Sequence, residues 1–230
     1  MQAFETIINF FRQGGVFLYP IALVWIVGLV IAIERLIFLT KEGYGNKAFW
    51  SDLQPLFESG NYRQAIQMAN NSDIALAQVM KYGLSRVSAS RRRDDVEKAM
   101  EESLVEIIPR LERRTHFLSA LANIGMLMGL LGTIIGLIHA FAAVATANPA
   151  EKASLLAASI SVAMNNTALG LICAITLLLA HMFLETQTTN IVDSLEVASM
   201  KFLNSLTERR PDVDAPAAPA PRAAAQGARA

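Results

Sequence analysis

Residues 118–184 decide the fold and read LSALANIGMLMGLLGTIIGLIHAFAAVATANPAEKASLLAASISVAMNNTALGLICAITLLLAHMFL. They form two apolar stretches, 118–144 and 153–184, and the only charged residues among them are Glu151 and Lys152 in the short connection. Each stretch exceeds the about 20 residues that an α-helix needs to cross a bilayer. The sequence therefore predicts a hairpin of two transmembrane helices.

The composition of the whole chain agrees with a membrane protein. Its 230 residues are 53% hydrophobic, which is more apolar than an ordinary soluble domain. Lys+Arg and Asp+Glu both number 20, and this neutrality argues against a nucleic-acid partner. A single cysteine, Cys173, excludes an intrachain disulfide and a thiolate metal cluster. The first apolar run lacks a strongly basic start, so we expect no cleaved signal.

A third crossing is predicted near the N-terminus, over residues 14–39. Residues 16–33 carry no charge, and Glu34-Arg35 marks the membrane edge. The preceding segment, 1–13, is either a short amphipathic helix in the membrane interface or a frayed start to this crossing.

The region 40–115 is polar and predicted to be mainly helical. Ser51-Asp52 and Asp73 are candidate N-caps for helices that follow them. The last helix of the region opens at Asp94-Asp95, and acidic residues suit a helix N-terminus. We expect this helix to continue without a break into the second crossing, with a bend at Pro109.

The second crossing is predicted over 116–145 and the third over 153–184. The third is expected to continue as a helix over 185–210, whose apolar stripe must pack against the helices of 40–115 or a neighbouring subunit. The Pro/Ala-rich tail, 211–230, is expected to be disordered.

The distribution of basic residues predicts the orientation. Of the 20 Lys/Arg, 13 lie in residues 35–114 and five follow Leu184, whereas the N-terminus and the hairpin connection have one each, Arg12 and Lys152. The positive-inside rule then puts 35–115 and the C-terminal tail in the cytoplasm. The predicted fold class is an all-α membrane protein with three transmembrane helices and long cytoplasmic helical extensions.

No enzyme site is indicated. The sequence has no P-loop, no Rossmann glycine pattern, no His/Cys metal spacing and no nucleophilic serine in register with a base. His116, His139 and His181 are interpreted as interfacial or packing residues. We therefore expect no enzyme activity, no cofactor and no metal.

Four glycines recur along the second crossing at i, i+4, i+7 and i+11. They are Gly125, Gly129, Gly132 and Gly136, and they share one helix face that allows another backbone to approach closely. Thr133 lies among them. It is a candidate pore-lining residue, and the alternative is a hydroxyl bonded back to its own helix.

Polar residues also interrupt the middle of the third crossing, at Asn165, Asn166 and Thr167, with Gly170 as a packing position one turn later. A side-chain amide in hydrocarbon is costly unless it has a partner. Successive residues point about 100° apart, so these three cannot share one face. We expect one asparagine to face a water-filled lumen and the other an adjacent helix; for each, interhelical hydrogen bonding is the alternative.

No Asp or Glu lies in the uncharged stretch 16–33 of the first crossing or in the two crossings of the hairpin. A proton path through lipid needs a titratable group, which is usually a carboxylate. The chain must therefore either have a partner that brings an acid or not conduct protons.

At these residues the sequence resembles the ExbB/TolQ/MotA proton-channel family. The segments that carry the resemblance are GGVFLYP at 14–20 with IERL at 33–36, GLLGTIIG at 129–136, and NTALGL at 166–171. The resemblance implies an ExbB-like stator subunit in the bacterial inner membrane, with its N-terminus periplasmic. It further implies a homo-oligomer, a pentamer, around an ExbD/TolR-like single-spanning partner whose Asp carries the proton, with a TonB-like protein as a further partner.

In this family, proton flow drives mechanical work for envelope transport. Thr133 and Thr167 fall on the family's two pore-facing threonine positions. The competing interpretation is a non-conducting membrane scaffold that anchors partner proteins. The sequence does not indicate which envelope pathway is served.

Two positions depart from the family pattern. Many members carry a Glu shortly before the third-helix threonine, where this chain has Val162, and a Pro where it has Thr176. The first departure favours the scaffold interpretation. Asn165 and Asn166 are expected to compensate as neutral lumen groups, so replacing both by Leu should abolish function and leave assembly intact.

Overall fold

The computed structural model describes residues 15–89 and 92–208, so the predictions for segments 1–13 and 211–230 lie outside the described residues. Those residues form helices and connections, with no β-strand among them. The helices are α1 (Leu18–Ser59), α2 (Tyr62–Asn70), α3 (Ala75–Ala89), α4 (Arg93–Glu112), α5 (Thr115–Thr146) and α6 (Lys152–Glu208). The all-α fold class is thereby confirmed.

Three helical stretches are long and apolar enough to cross a membrane. They are Leu18–Ser59, Arg93–Thr146 and Lys152–Leu206, and each contains a window of 18 residues with high mean hydropathy. The predicted number of transmembrane helices is confirmed on length and composition. The points at which each helix enters and leaves the bilayer stay predictions.

Helix α1 is longer than the first crossing requires. It starts at Leu18, which makes Pro20 its third residue, where a missing N–H has little cost. It ends at Ser59, and Gly60 follows with a φ of +76°, which favours glycine. The predicted cap at Ser51-Asp52 is wrong because both residues lie inside α1. The apolar segment ends well before Ser59, but the helix continues through the polar residues that follow and stops only at Gly60.

Helix α3 begins at Ala75, two residues after Asp73, and the cap predicted at Asp73 stays a prediction. The Asp73 backbone carbonyl accepts a hydrogen bond of 2.9 Å from Nε2 of Gln78. Asn61 caps α2, since its side chain accepts from the backbone N–H of Gln64.

The predicted continuity from α4 to α5 is wrong as well. Helix α4 ends at Glu112, α5 begins at Thr115, and Arg114 between them has a φ of +69°. Pro109, where a bend was expected, stays inside α4. The interruption therefore lies at a pair of arginines rather than at the proline.

Helix α6 runs from Lys152 to Glu208 without interruption. The expectation that the third crossing continues beyond Leu184 is confirmed.

The described residues fall into two compact units. The first contains residues 15–48 and 104–194, and the second contains 49–89, 92–103 and 195–208. The second unit has an aromatic core in which the ring of Phe202 lies 4.7 Å from that of Phe57, between centroids. Phe202 is fully buried. Phe202, one residue of the apolar stripe predicted over 185–210, thus packs on a residue of 40–115, which is one of the two partners expected for that stripe.

Candidate functional site

Helices α5 and α6 touch through backbone at Gly129. A Cβ added to Gly129 would lie 2.9 Å from the Asn166 carbonyl oxygen and 3.0 Å from the Gly170 Cα. A Cβ added to Gly170 would lie 2.9 Å from the Gly125 carbonyl oxygen. Only glycine fits at such an approach, because the neighbouring atoms belong to the other backbone and cannot rotate away.

The other glycines of the second crossing continue this contact in both directions. The nearest α6 atoms to a Cβ at each would be Cys173 Sγ at 2.6 Å for Gly125, Asn166 Cβ at 2.9 Å for Gly132, and Ala163 Cβ at 2.9 Å for Gly136. The residue numbers rise on α5 as they fall on α6, so the two helices are antiparallel. The structure therefore brings all five glycines of the sequence prediction together, as one closely packed face of the hairpin.

Thr167 links the two helices by a hydrogen bond. Its hydroxyl donates to the Gly129 carbonyl at 3.2 Å, and its side chain is half-buried. With the donor engaged, the hydroxyl oxygen keeps lone pairs that can accept a further bond.

Thr133 bonds within its own helix. Its hydroxyl donates to the Leu130 carbonyl at 2.6 Å, which is the back-bonded alternative, and the residue is half-buried. It lies four residues after Gly129, about 6 Å further along the α5 axis. Thr133 and Thr167 therefore have the same chemical state: each donor is used by a carbonyl, and each oxygen can still accept.

The two asparagines differ in their surroundings. Asn166 is 3% exposed and packs against Gly132, and its Oδ1 has no hydrogen-bond partner within the described residues. Asn165 is half-buried. Asn166 is therefore the asparagine that faces an adjacent helix. Replacing both by Leu would also alter the α5–α6 contact, so that double variant cannot separate function from assembly.

Val162, where the family resemblance led us to expect a Glu, lies beside the start of α1. A Cβ added to Gly15, whose φ is +70°, would lie 3.3 Å from Val162 Cγ1. The side chain is half-buried. At this position the chain has an apolar packing contact in place of a titratable group.

One polar contact between helices was not predicted from the sequence. The indole of Trp25 on α1 donates to the Thr176 hydroxyl on α6. The sequence contained two signals for it: a tryptophan within the uncharged stretch 16–33, and a hydroxyl residue, Thr176, within the apolar stretch 153–184. Nearby, Gly28 of α1 packs on Leu177, since an added Cβ would lie 2.6 Å from its methyl carbons.

Metal ligands are not grouped in this part of the molecule. Within residues 15–89 and 92–208, no set of three or more His, Cys, Asp or Glu could hold a metal ion. Thr133 and Thr167 instead place hydroxyl acceptors on the closely packed α5–α6 pair. Such acceptors suit the passage or binding of a hydrogen-bond donor.

Comparisons with known proteins agree with this membrane architecture. The sequence profile described as the MotA/TolQ/ExbB proton channel family matches residues 71–197, more than half of the chain. An ExbB homolog of Methanothermobacter thermautotrophicus, named for biopolymer transport, is 28% identical over 200 residues, which cover 84% of this chain and 68% of that protein. A biopolymer transport protein of Synechocystis, named ExbB-like, is 27% identical over 74% of this chain and 81% of its own length.

A third relative is the Tol-Pal system protein TolQ of Haemophilus influenzae. It is 32% identical over 110 residues, which cover 48% of this chain and 46% of that protein. The chain belongs to the MotA/TolQ/ExbB proton channel family, as an ExbB-like, multi-pass membrane subunit of the energy-transducing type.

Proposed function

We propose that this chain is the stator subunit of a proton-driven complex in the bacterial inner membrane. It works with an ExbD/TolR-like single-spanning partner, and together they convert the proton motive force into mechanical work for envelope transport. The observation that carries the proposal is the state of Thr133 and Thr167, whose hydroxyls donate to carbonyls and keep their lone pairs available. A protonated carboxyl group on a partner helix is a donor and matches such acceptors.

The partner's role follows from the chemistry of the membrane segments. The apolar stretches 16–33, 117–144 and 153–184 contain no Asp or Glu. A carboxylate is the usual proton carrier at this depth. In the proposal, the partner's Asp carries the proton past the two threonines, and Asn165 is a neutral group beside the same path.

The oligomeric state is part of the proposal. Thr133 and Thr167 are half-buried in a single chain, and α5 exposes many apolar side chains beside them. These are Leu127, Leu130, Leu131, Ile134, Ile138 and Phe141. Lipid covers part of this surface and further copies of the chain cover the rest, in a ring, a pentamer, around the partner's helix. The distribution of Lys and Arg supports a periplasmic N-terminus and a cytoplasmic C-terminus. A TonB-like protein would receive the force.

One observation favours a second candidate, a non-conducting scaffold. Val162 lies beside Gly15, just before α1, so this site offers an apolar side chain instead of a proton-binding group. In that case the hairpin would hold partner proteins in the membrane without coupling to protons.

Proton uptake into vesicles distinguishes the two. The chain is reconstituted with its ExbD/TolR-like partner, a potassium diffusion potential is applied, and internal pH is followed with a dye. We expect uptake that falls at least about tenfold with Thr133→Val, with Thr167→Val or with Asn in place of the partner's Asp, because a lost hydrogen bond of about 1.4 kcal/mol corresponds to a tenfold change.

Thr189→Val is the matched control. Thr189 is exposed on α6, and its hydroxyl donates to the Glu185 carbonyl at 3.1 Å, as Thr133 does to its own helix. This variant should retain full uptake. Uptake that is absent from every sample, or that is unaffected by Thr133→Val and Thr167→Val, would contradict the stator proposal, and its absence would favour the scaffold.

A further inference from the structure

The chain breaks between α4 and α5, a region called the joint below, although the sequence there favours a continuous helix. Leu111-Glu112-Arg113-Arg114-Thr115 contains no Gly or Pro, and Leu, Glu and Arg are good helix formers. Nevertheless Arg114 has φ +69° and ψ −20°, in the left-handed region, where a residue with a Cβ is disfavoured. Contacts from elsewhere must therefore hold the break.

The first such contact comes from Glu34 of α1. Nη1 of Arg114 lies 3.0 Å from both carboxylate oxygens of Glu34. The two side chains are half-exposed, with relative accessibilities of 49% and 46%. This pair holds the side chain of the one residue whose backbone is in the unfavourable conformation.

The second contact comes from the next residue of α1. Nη2 of Arg35 donates a hydrogen bond to the Leu111 carbonyl near the end of α4. Arg35 is only 4% exposed, and its Cζ lies 4.7 Å from the centre of the Phe38 ring. The Arg35 guanidinium is therefore held between the Leu111 carbonyl and the Phe38 ring, away from solvent.

The identity of the acceptor matters. In a continuous helix the N–H of each residue donates to the carbonyl four residues earlier, so the Leu111 carbonyl would receive the N–H of Thr115. In the broken joint, the guanidinium of Arg35 supplies a donor to that carbonyl instead. Arg35 thus replaces the backbone hydrogen bond that the break removes.

We propose that Glu34 and Arg35 form a latch that keeps α4 and α5 apart. In the latched state Arg114 is left-handed and Arg35 binds the Leu111 carbonyl. In the released state Arg114 becomes helical, Thr115 donates to Leu111, and residues 104–146 form one helix. Through the latch, the orientation of residues 104–112 relative to α5 depends on α1. The latch does not rest on the proposed function.

Amide hydrogen exchange of the full-length chain in lipid nanodiscs tests the latch at the N–H of Thr115. The decisive pair is Arg114→Gly and Arg114→Ala. Both remove the ion pair with Glu34, but Gly tolerates the left-handed conformation and Ala favours the helix. We expect exchange at Thr115 to stay as fast as in the wild type for Arg114→Gly and to slow by about fivefold or more for Arg114→Ala.

A second pair tests the buried contact. Arg35→Met keeps much of the side-chain length and removes the donor, so exchange at Thr115 should slow as in Arg114→Ala; Arg35→Lys keeps a cationic donor and should behave as the wild type. Equal exchange rates in Arg114→Ala and Arg114→Gly would overturn the latch. Residue 114 is half-exposed, so both Arg114 variants should fold. Their comparison therefore tests the latch even if Arg35→Met fails to fold. The readout is independent of proton uptake, so failure of the proposed function would not affect it.

Discussion

The indole Nε1 of Trp25 donates a hydrogen bond of 2.8 Å to the hydroxyl of Thr176, which joins α1 to α6 within their apolar segments. The Thr176 hydroxyl also lies 2.8 Å from the Ile172 carbonyl and 3.0 Å from the Cys173 carbonyl. It can therefore donate to its own helix while it accepts from Trp25. An indole N–H removed from water finds such an acceptor, and this bond links α1 to α6.

We predict a measurable coupling between these two residues. In a double-mutant cycle of Trp25→Phe and Thr176→Val, the free energies of unfolding should deviate from additivity by about 0.6 kcal/mol, the average for hydrogen bonds between membrane helices. Steric trapping in bicelles measures these energies. Thr176→Ser keeps the hydroxyl and should keep the coupling. Additive effects of the two variants would mean that the bond does not stabilise the fold.

The glycine contact gives a second prediction. Gly129→Ala forces the backbones of α5 and α6 apart, since its Cβ would meet the Asn166 carbonyl at 2.9 Å. We expect a loss of about 1–3 kcal/mol in the free energy of unfolding, as for overpacked sites. Gly43→Ala is the matched control, because its Cβ would meet only Ile191 side-chain atoms at 3.8 Å and 3.9 Å. It should be neutral or stabilise the protein by up to about 1 kcal/mol. A smaller loss for Gly129→Ala than for Gly43→Ala would contradict the close packing.

The two asparagines should respond differently to the same change. Asn166→Leu places a branched side chain against Gly132, where Asn166 is already buried, and we expect the thermal unfolding temperature to fall by several degrees. Asn165 is half-buried, so Asn165→Leu should assemble with an unfolding temperature close to the wild type. Circular dichroism during heating in detergent compares them. If the unfolding temperature fell equally in both variants, the contact of Asn166 with α5 would not be what makes this position sensitive.

A fourth prediction concerns the second unit. Phe202 is fully buried against Phe57, so Phe202→Ala should cost about 3–5 kcal/mol of unfolding free energy. Met200, two residues earlier on α6, is 62% exposed, and Met200→Ala should stay within about 0.5 kcal/mol of the wild type. Denaturant unfolding measures both. If Met200→Ala proved as costly as Phe202→Ala, the assignment of the buried face of α6 would be wrong.

The sequence was sufficient for the membrane helices and for the glycine face. Hydrophobic length identifies a crossing directly, and a spacing of i, i+4, i+7 and i+11 can lie on only one side of a helix. The contacts of Gly125, Gly129, Gly132 and Gly136 with α6 follow from that geometry once a hairpin is assumed.

The errors arose where a distant contact decides local structure. Residues 111–115 contain no helix breaker, and the residues that hold Arg114, chiefly Glu34, are 80 positions earlier in the chain. A pattern-based interpretation could not connect them. Conversely, Pro109 looked disruptive but remains within α4. The cap predicted at Ser51-Asp52 is wrong for a simpler reason: α1 continues through both residues to Ser59, because a polar sequence alone does not end a helix.

The candidate site was predicted only as a set of residues. Sequence spacing shows that Asn165, Asn166 and Thr167 point in different directions, but the partner of each depends on where α5 lies. In the structure, the Thr167 hydroxyl donates to the Gly129 carbonyl, and the Asn166 side chain packs against Gly132. Their role in a proton path stays a prediction.

The close fit of Cys173 against Gly125 has a practical consequence for spectroscopy. This thiol is the only one in the sequence, and it is fully buried. Maleimide dyes and spin labels react with accessible thiolates, so the wild-type chain should stay unmodified under conditions that label a cysteine introduced at an exposed position. Probes can then be attached without first replacing a residue that the helix contact depends on.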